Sequence, residues 1–417
     1  MIRIGIVGCG RILAAHLRGY RILRKAGIDD FRITALCARK PDDARMYVRR
    51  GEGPPQRAAV SDIPGDPLAA GDIYLSDFQT DTQVAVFDDY ETMIAAGPVD
   101  AINDFTPHGL HHLVGDCAFR NGKHLLSQKP LAVTVKAARQ MVDSAQRAGV
   151  VLGTFENLRY REQARQLKWM FEPDDDSRPC GRLQTMLMGN IGSWWVPDKI
   201  VAETPWRHQR ELGGGIALDL GPHMFNLIRN VAGEVLDVQA RTAILEPLRF
   251  TRGSDGTVID SIASTADDTF FATFETQRGI AGSLNAAWAG HGAPTVVEGG
   301  QVFYGSKARV AGTTVTFDDG STTELSDIYR QHCPADRQEA DFPNRFTDEF
   351  AVAQQDWLRA IREQTQPESN GHEGLMDLAC AFGIVESALS GNRVTVEDIV
   401  QGRVAEYQNE INSHFGI

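Results

Sequence analysis

Basic blocks, paired cysteines and long apolar runs are missing from this sequence. Its 42 Lys and Arg are outnumbered by 55 Asp and Glu, for a formal net charge of -13. With no Lys/Arg stripe to displace counterions, a nucleic-acid partner is disfavoured, and an anionic membrane surface with it. The six cysteines, Cys9, Cys37, Cys117, Cys180, Cys333 and Cys380, are scattered with no metal-ligand or redox spacing. They read as buried thiols in a reducing compartment. No apolar run has the ~20 residues of a membrane-spanning helix. No signal-peptide pattern precedes the first apolar run, so a cytoplasmic location is expected. Internal repeats and low-complexity tracts are absent too. What remains is an ordinary globular composition, 42% hydrophobic and 23% charged over 417 residues, with room for two or three domains.

The rest of the chain is organised around its opening stretch. Ile2 to Val7 is a short β-rich apolar run, and Ile12, Leu17, Tyr20 and Leu23 recur at helical spacing. Between them lie Gly8 and Gly10, so the stretch reads as strand, tight glycine turn and helix, a cradle for a dinucleotide pyrophosphate. Gly8 permits the turn, and Gly10 lets the backbone approach the anion with no Cβ in the way; Arg11 and Ile12 open the helix. Leu13 stands where the fingerprint's third glycine belongs, and a purely structural glycine turn is the alternative. Phe31 to Cys37 reads as the second strand, with Ala38, Arg39 and Lys40 at its exit. An acid there would hold the ribose 2′-hydroxyl of NAD, whereas a neutral residue followed by cations accommodates the 2′-phosphate of NADP. NADP is therefore favoured, with NAD still open; the alternative is that Arg39 and Lys40 are solvated loop charges.

Helical Pro41 to Arg50 and a Gly/Pro-rich surface loop over 51–67 follow. Short strands near 84–86, 99–105, 123–127 and 150–155 then alternate with helices over 90–96, 110–120 and 133–148. Such alternation implies a parallel sheet with ligands at the carboxyl ends of its strands. Two tips lie at those ends: Thr106-Pro107-His108-Gly109-Leu110-His111 and Ser127-Gln128-Lys129-Pro130. Lys129 can orient and polarise a substrate hydroxyl there, although a lone lysine before proline is more often a solvated turn residue. Asn157 and Arg159 sit where the chain crosses into its second half, and are candidates for the substrate pocket. Strand-like alternation then dominates from 182 to 317, so an open antiparallel sheet is expected, with helices over 346–363 and 374–389.

The segment Trp206-Arg207-His208 through Gly213-Gly214-Gly215 to Asp219, His223 and Asn226 carries the most chemistry. Asp219 and His223 are four apart on an expected helix, so both side chains leave one face. A carboxylate beside an imidazole orients it for acid-base work, although a pair buried between helices would look the same. The three glycines allow another chain or a ligand to approach closely. A metal reading of His208, Asp219 and His223 is poorer, since the spacing matches no standard signature.

Together these segments resemble the Gfo/Idh/MocA oxidoreductases, the family of glucose-fructose oxidoreductase and inositol dehydrogenase. The resemblance runs from the glycine turn with His16 beyond it, through Thr106-Pro107, His111, Gly122-Lys123-His124 and the Lys129-Pro130 tip, to Trp206-Arg207 and Gly213 through His223. It implies a Rossmann domain over residues 1–152. Residues 153–417 would be a substrate-binding and oligomerisation domain on a large open, mainly antiparallel sheet: α/β followed by α+β. It implies NAD(P)-dependent hydride transfer to or from a sugar, cyclic polyol or sugar derivative in a homodimer or homotetramer. The trio Lys129, Asp219 and His223 would be catalytic, with no metal. Cofactor contacts would come from Gly8, Gly10, Arg11, Ile12, Ala38, Arg39, Lys40, Thr106, Pro107, His108, His111, Gln128, Lys129, Trp206 and Arg207, and substrate contacts from Asn157, Arg159 and His223. Gln128 replaces a common Glu, and Asn226 a common Asp. Two other functions fit the resemblance: a redox-neutral glycosidase, lyase or epimerase that keeps its cofactor, and a non-catalytic NADP-binding regulator.

Overall fold

A computed structural model describes residues 1–192 and 197–417. The chain forms two compact units, 1–132, 137–161 and 339–374 in the first, and 133–136, 162–338 and 375–417 in the second. The single boundary expected after residue 152 is thus crossed by a returning segment. Its helix, Glu349–Glu363, buries Phe350, Trp357 and Leu358 in the first unit's core, against Leu13, Leu17 and Phe155. Those side chains contribute about 1.5–3 kcal/mol each by burial, enough to hold the segment there.

The first unit runs β1 (Ile2–Val7), α1 (Leu13–Lys25), β2 (Phe31–Cys37), α2 (Pro41–Arg45), β3 (Ala85–Phe87), α3 (Tyr90–Ala96), β4 (Ala101–Asp104), α4 (His111–Arg120), β5 (His124–Gln128), α5 (Val135–Ala148) and β6 (Leu152–Phe155). Its six strands pair in parallel in the order β3-β2-β1-β4-β5-β6. All seven residues of β2 are buried, as a parallel strand covered on both faces requires. The order reverses between β1 and β4, which puts a crevice at their carboxyl ends, where ligands bind in such sheets. Helix α2 is shorter than the expected 41–50. Gln56 donates to the Met46 carbonyl, and the Leu75 and Ser76 amides take the Tyr47 and Val48 carbonyls at 2.9 and 3.1 Å, so these groups are not available to a continuing helix.

The second unit contains α6 (Glu162–Phe171), β7 (Leu183–Ile191), α7 (Ile216–Ala232), β8 (Val235–Ala243), a hairpin of β9 (Leu248–Arg252) and β10 (Val258–Ala263), then β11 (Thr269–Thr276), β12 (Ala281–Ala287), β13 (Thr295–Gly305), β14 (Ala308–Ala311), β15 (Thr314–Phe317) and β16 (Thr322–Glu324). Helices α8 (Leu325–His332) and α9 (Ala335–Asp341) precede the returning helix, α10; α11 (Gly371–Ser390), β17 (Val394–Thr395), α12 (Val396–Val400) and α13 (Glu406–Phe415) end the chain. The nine-stranded sheet has the order β16-β15-β14-β13-β7-β12-β11-β8-β17 and is antiparallel except between β7 and β12. One face is covered by helices: Phe225 of α7 meets Phe274 edge-on at 6.2 Å, and Phe171 of α6 stacks on Phe303 at 6.0 Å. On the strands β7, β8 and β11 the residues Leu187, Leu236 and Phe271 are exposed.

Candidate functional site

Gly8 turns the chain after β1 with φ +94°, and a Cβ there would lie 2.6 Å from the Phe105 carbonyl at the end of β4. Only glycine fits both demands. Gly10 is different, because a Cβ on it would meet no heavy atom within 4 Å. The turn's carbonyls are tied off from behind: the Tyr47 hydroxyl donates to the Gly10 oxygen and Arg57 Nη1 to the Cys9 oxygen, each at 2.9 Å. No side chain caps the start of α1 at Ile12; the Leu13 and Ala15 amides are taken by the Gly10 and Ile12 carbonyls at 3.2 and 3.1 Å, and the positive end of the helix dipole faces the turn, as a dinucleotide pyrophosphate requires. Arg11 is exposed, and Leu13 is fully buried in the core, which accounts for a leucine in the third glycine's place. At the exit of β2 Ala38 is buried, its amide on the Phe87 carbonyl, while Arg39 and Lys40 are exposed.

At the ends of β4 and β5, Thr106 is braced on Asp104 through its amide and hydroxyl at 3.0 and 2.7 Å; Pro107 is exposed and His108 buried. His111 lies 2.9 Å from the Pro130 carbonyl through Nδ1 and 2.9 Å from the Thr106 carbonyl through Nε2. With both ring nitrogens on backbone oxygens, the side chain read as a cofactor contact staples the two tips together. The Gln128 amide donates to His16 Nε2 at 3.0 Å, and its oxygen accepts from the Lys129 amide at 3.0 Å. His16 is fully buried, stacked on Phe105 at 3.7 Å, and burial drives it well below the usual histidine range. It is thus a neutral acceptor, which suits an amide at 128 as donor better than a carboxylate. Lys129 is half-buried, and the Lys129-Pro130 bond is cis.

The two substrate candidates in this unit are engaged locally. Asn157 donates to Glu349 at 3.3 Å. Arg159 is buried, with the Glu368 carbonyl at 2.7 Å and the Glu373 carboxylate at 2.8 Å. It holds the returning segment, so its guanidinium is committed to structure rather than displayed to a ligand.

In the second unit Arg207 organises the expected acid-base segment. Its Nε lies 3.0 Å from Asp219, its Nη1 2.6 Å from the Thr204 hydroxyl, and its guanidinium 4.4 Å from the Trp206 ring centroid. Trp206 and Arg207, read as cofactor contacts, thus form with Asp219 a packed cluster beside the first turn of α7. Asp219 and His223 both lie on α7 and both are half-buried. Asn226 is fully buried and donates to Asp377 at 2.7 Å, a tie between α7 and α11. His208 accepts from the Val201 amide at 3.1 Å and is pushed down to about 4 by burial and by Arg249. The close approach that the three glycines permit comes from the chain itself. A Cβ on Gly214 would lie 2.5 Å from the Trp206 carbonyl, and one on Gly215, at φ +111°, 2.3 Å from the Asp267 carboxylate. Among the described residues no three His, Cys, Asp or Glu side chains are grouped to hold a metal ion.

Asp267 fastens the N-terminus of α7: its backbone carbonyl accepts from the Ile216 amide and its carboxylate from the Ala217 amide, each at 2.9 Å. Burial pushes its carboxyl up to about 7, with Asp268 adding to the rise and the Ala217 amide opposing it. The folded state therefore holds a proton that the unfolded chain releases near the ordinary carboxylate value. The stability so conferred is complete below that value and is lost as pH rises toward 7, on the order of 4 kcal/mol across the window. Urea unfolding at pH 5 and pH 8 should show Asp267→Asn losing less stability than the parent, and parallel losses would show that the carboxyl does not titrate there.

Residues 2–155 match the family described as "Oxidoreductase family, NAD-binding Rossmann fold", and residues 176–317 match the "GFO/IDH/MocA C-terminal domain". The chain is 26% identical over 310 residues to 1,5-anhydro-D-fructose reductase of Ensifer adhaerens, covering 74% of this chain and 83% of that protein. It is 24% identical to myo-inositol 2-dehydrogenase of Thermotoga maritima over 96% of this chain and 100% of the other. Among solved structures, levoglucosan dehydrogenase with NADH and L-sorbose superposes with a TM-score of 0.70 at 18% identity, over 96% and 100% of the two chains. The WlbA dehydrogenase of Bordetella pertussis with NADH and UDP-GlcNAcA gives 0.66 at 23% identity, over 94% and 97%.

Proposed function

Since this chain belongs to the Gfo/Idh/MocA oxidoreductases, we propose that it transfers hydride between a nicotinamide dinucleotide and a sugar, cyclic polyol or sugar derivative. The observation that carries this reading is the glycine turn, with Gly10 open in front and its carbonyls tied behind by Tyr47 and Arg57. Two relatives are by name a sugar reductase and an inositol dehydrogenase. The dinucleotide supplies a hydride acceptor or donor at the nicotinamide ring. His223 exchanges a proton with the reacting hydroxyl or carbonyl oxygen. Asp219, anchored by Arg207, keeps the α7 turn below that imidazole in place. The Lys129 ammonium stabilises charge developing on the same oxygen. The tips that present Lys129 are held in register by His111 and by the Gln128–His16 pair.

NADP is the preferred cofactor in this reading. Ala38 offers no carboxylate to a ribose 2′-hydroxyl, and the exposed cations Arg39 and Lys40 follow it; NADH is what the two related structures hold. The open sheet face with Leu187, Leu236 and Phe271 supports a homo-oligomer. A cytoplasmic enzyme suits six buried, unpaired cysteines. A panel of sugars and cyclitols, followed at the nicotinamide absorbance with both cofactors, tests the proposal. Turnover with at least one polyol or sugar is expected, and titration should show NADPH binding tighter than NADH. The reverse order would overturn the cofactor preference. Product formed without absorbance change would point to redox-neutral chemistry, and no turnover across the panel would overturn the enzyme reading.

A further inference from the structure

Forty-eight residues beyond the glycine turn, the Gly/Pro-rich loop returns a cation to it. Arg57 Nη1 donates to the Cys9 carbonyl at 2.9 Å, and Nη2 lies 2.6 Å from Asp43 on α2. Gln56, next to it, donates to the Met46 and Ile73 carbonyls and accepts from the Ile73 amide, so the loop is pinned where it meets the turn. The same corner contains the carboxyl end of β2, because the Cys37 carbonyl accepts from the Gly8 amide at 2.9 Å. The guanidinium therefore stands where the glycine turn, the β2 exit and the start of α2 converge. In a doubly wound sheet this corner receives the adenosine ribose.

We propose that Arg57 is a specificity-determining residue that binds a 2′-phosphate on the adenosine ribose. The proposal rests on the NADP reading above and extends it to a residue outside the β2 exit. A guanidinium has five N–H donors in a fixed fork. Two are used, on Cys9 and Asp43, and the others remain for phosphate oxygens. Asp43 lies close to the incoming anion and opposes it, but it takes only one of the fork's nitrogens. Arg39, Lys40 and Arg45 add positive charge near Arg57 against Asp42 and Asp43 and, after β3, Asp88 and Asp89, which act on the Cys37 thiol; Asp42 is already paired with Arg45 at 2.8 Å. Among the described residues Arg39 and Lys40 make no ion pair. They are exposed and not held by a partner carboxylate, whereas Arg57 is oriented in advance by Cys9 and Asp43, so less side-chain entropy is lost when it binds.

The test is calorimetric titration of the full chain with 2′,5′-ADP and with 5′-AMP, which differ only in the 2′-phosphate. The parent should bind 2′,5′-ADP more tightly. Arg57→Ala should weaken 2′,5′-ADP by about tenfold or more, the weight of a charge-assisted fork, and leave 5′-AMP within about twofold. Arg57→Lys should recover part of the loss, and Asp43→Asn should keep or improve 2′,5′-ADP binding. If the parent prefers 2′,5′-ADP and Arg57→Ala keeps that preference, the Arg57 assignment fails alone. Equal weakening of both ligands by Arg57→Ala would also overturn it, as a loss of turn geometry. If the parent shows no preference, the NADP reading falls and this proposal with it.

Discussion

Replacing His223 by Asn, or Lys129 by Ala, is expected to lower kcat by about 10²–10⁴-fold while leaving dinucleotide affinity within about threefold, the usual weight of a positioned proton-transfer group. Both side chains are half-buried rather than locked in the core, so their loss should not unfold the chain. Asparagine at 223 keeps the polarity and much of the shape of the imidazole but cannot exchange the proton. The loss should therefore fall on kcat, with KM nearly unchanged. Steady-state rates beside a fluorescence titration of the dinucleotide make the comparison. A variant turning over at the parental rate would remove that residue from the mechanism. Asp219→Asn should fall between the two outcomes, because Arg207 loses its charged partner but keeps Thr204 and the Trp206 ring.

Gly8→Ala is expected to destabilise the first unit by about 2–4 kcal/mol and to weaken dinucleotide binding by about a hundredfold. A positive φ costs a non-glycine residue about 1 kcal/mol. The new methyl would stand 2.6 Å from the Phe105 carbonyl carbon and oxygen and 2.8 Å from the Thr106 amide, and this backbone cannot yield as a side chain would. Overpacking of that kind adds about 1–3 kcal/mol. The affinity loss corresponds to two charge-assisted hydrogen bonds at about 1.5 kcal/mol each. Gly10→Ala is the control that separates fold from ligand. With nothing within 4 Å, it should leave the thermal midpoint unchanged and still weaken the dinucleotide, because the methyl would occupy the space the pyrophosphate needs. Normal binding by Gly10→Ala would show that no ligand approaches that glycine. An unchanged midpoint for Gly8→Ala would show that the turn relaxes at little cost.

Much of the architecture was legible because its signals are local. The alternating strands and helices of the first 155 residues and the strand-rich character of the chain from 182 to 317 follow from periodicity. The hairpin β9–β10 escaped notice because nearly all of β10 is exposed, so no inside-outside alternation is imprinted on Val258–Ala263. Helix α9 is predominantly polar and leaves little apolar stripe to detect. The roles of single residues were less legible still. His111 could be placed near a ligand edge from its position in the chain, but its bonds to Thr106 and Pro130 depend on two loops meeting. Arg159 looked available until Glu368 and Glu373 arrived from more than 200 residues away. Nothing in the spacing of Tyr47, Arg57 or Asp267 marked them.

By itself the sequence determined the order of most strands and helices, the need for glycine at position 8, the lack of an acid at the β2 exit and the presence of a carboxylate and an imidazole one turn apart on α7. These follow from φ/ψ limits, from the periods of side chains along one element and from side-chain chemistry, all within a few residues. Only the tertiary structure decided which cation reaches the glycine turn, which carboxylate Arg207 engages and which acid closes the start of α7. Each is a hydrogen bond between groups on different elements, 12 to 50 residues apart, and its partner is selected by packing of whole elements that no local pattern encodes.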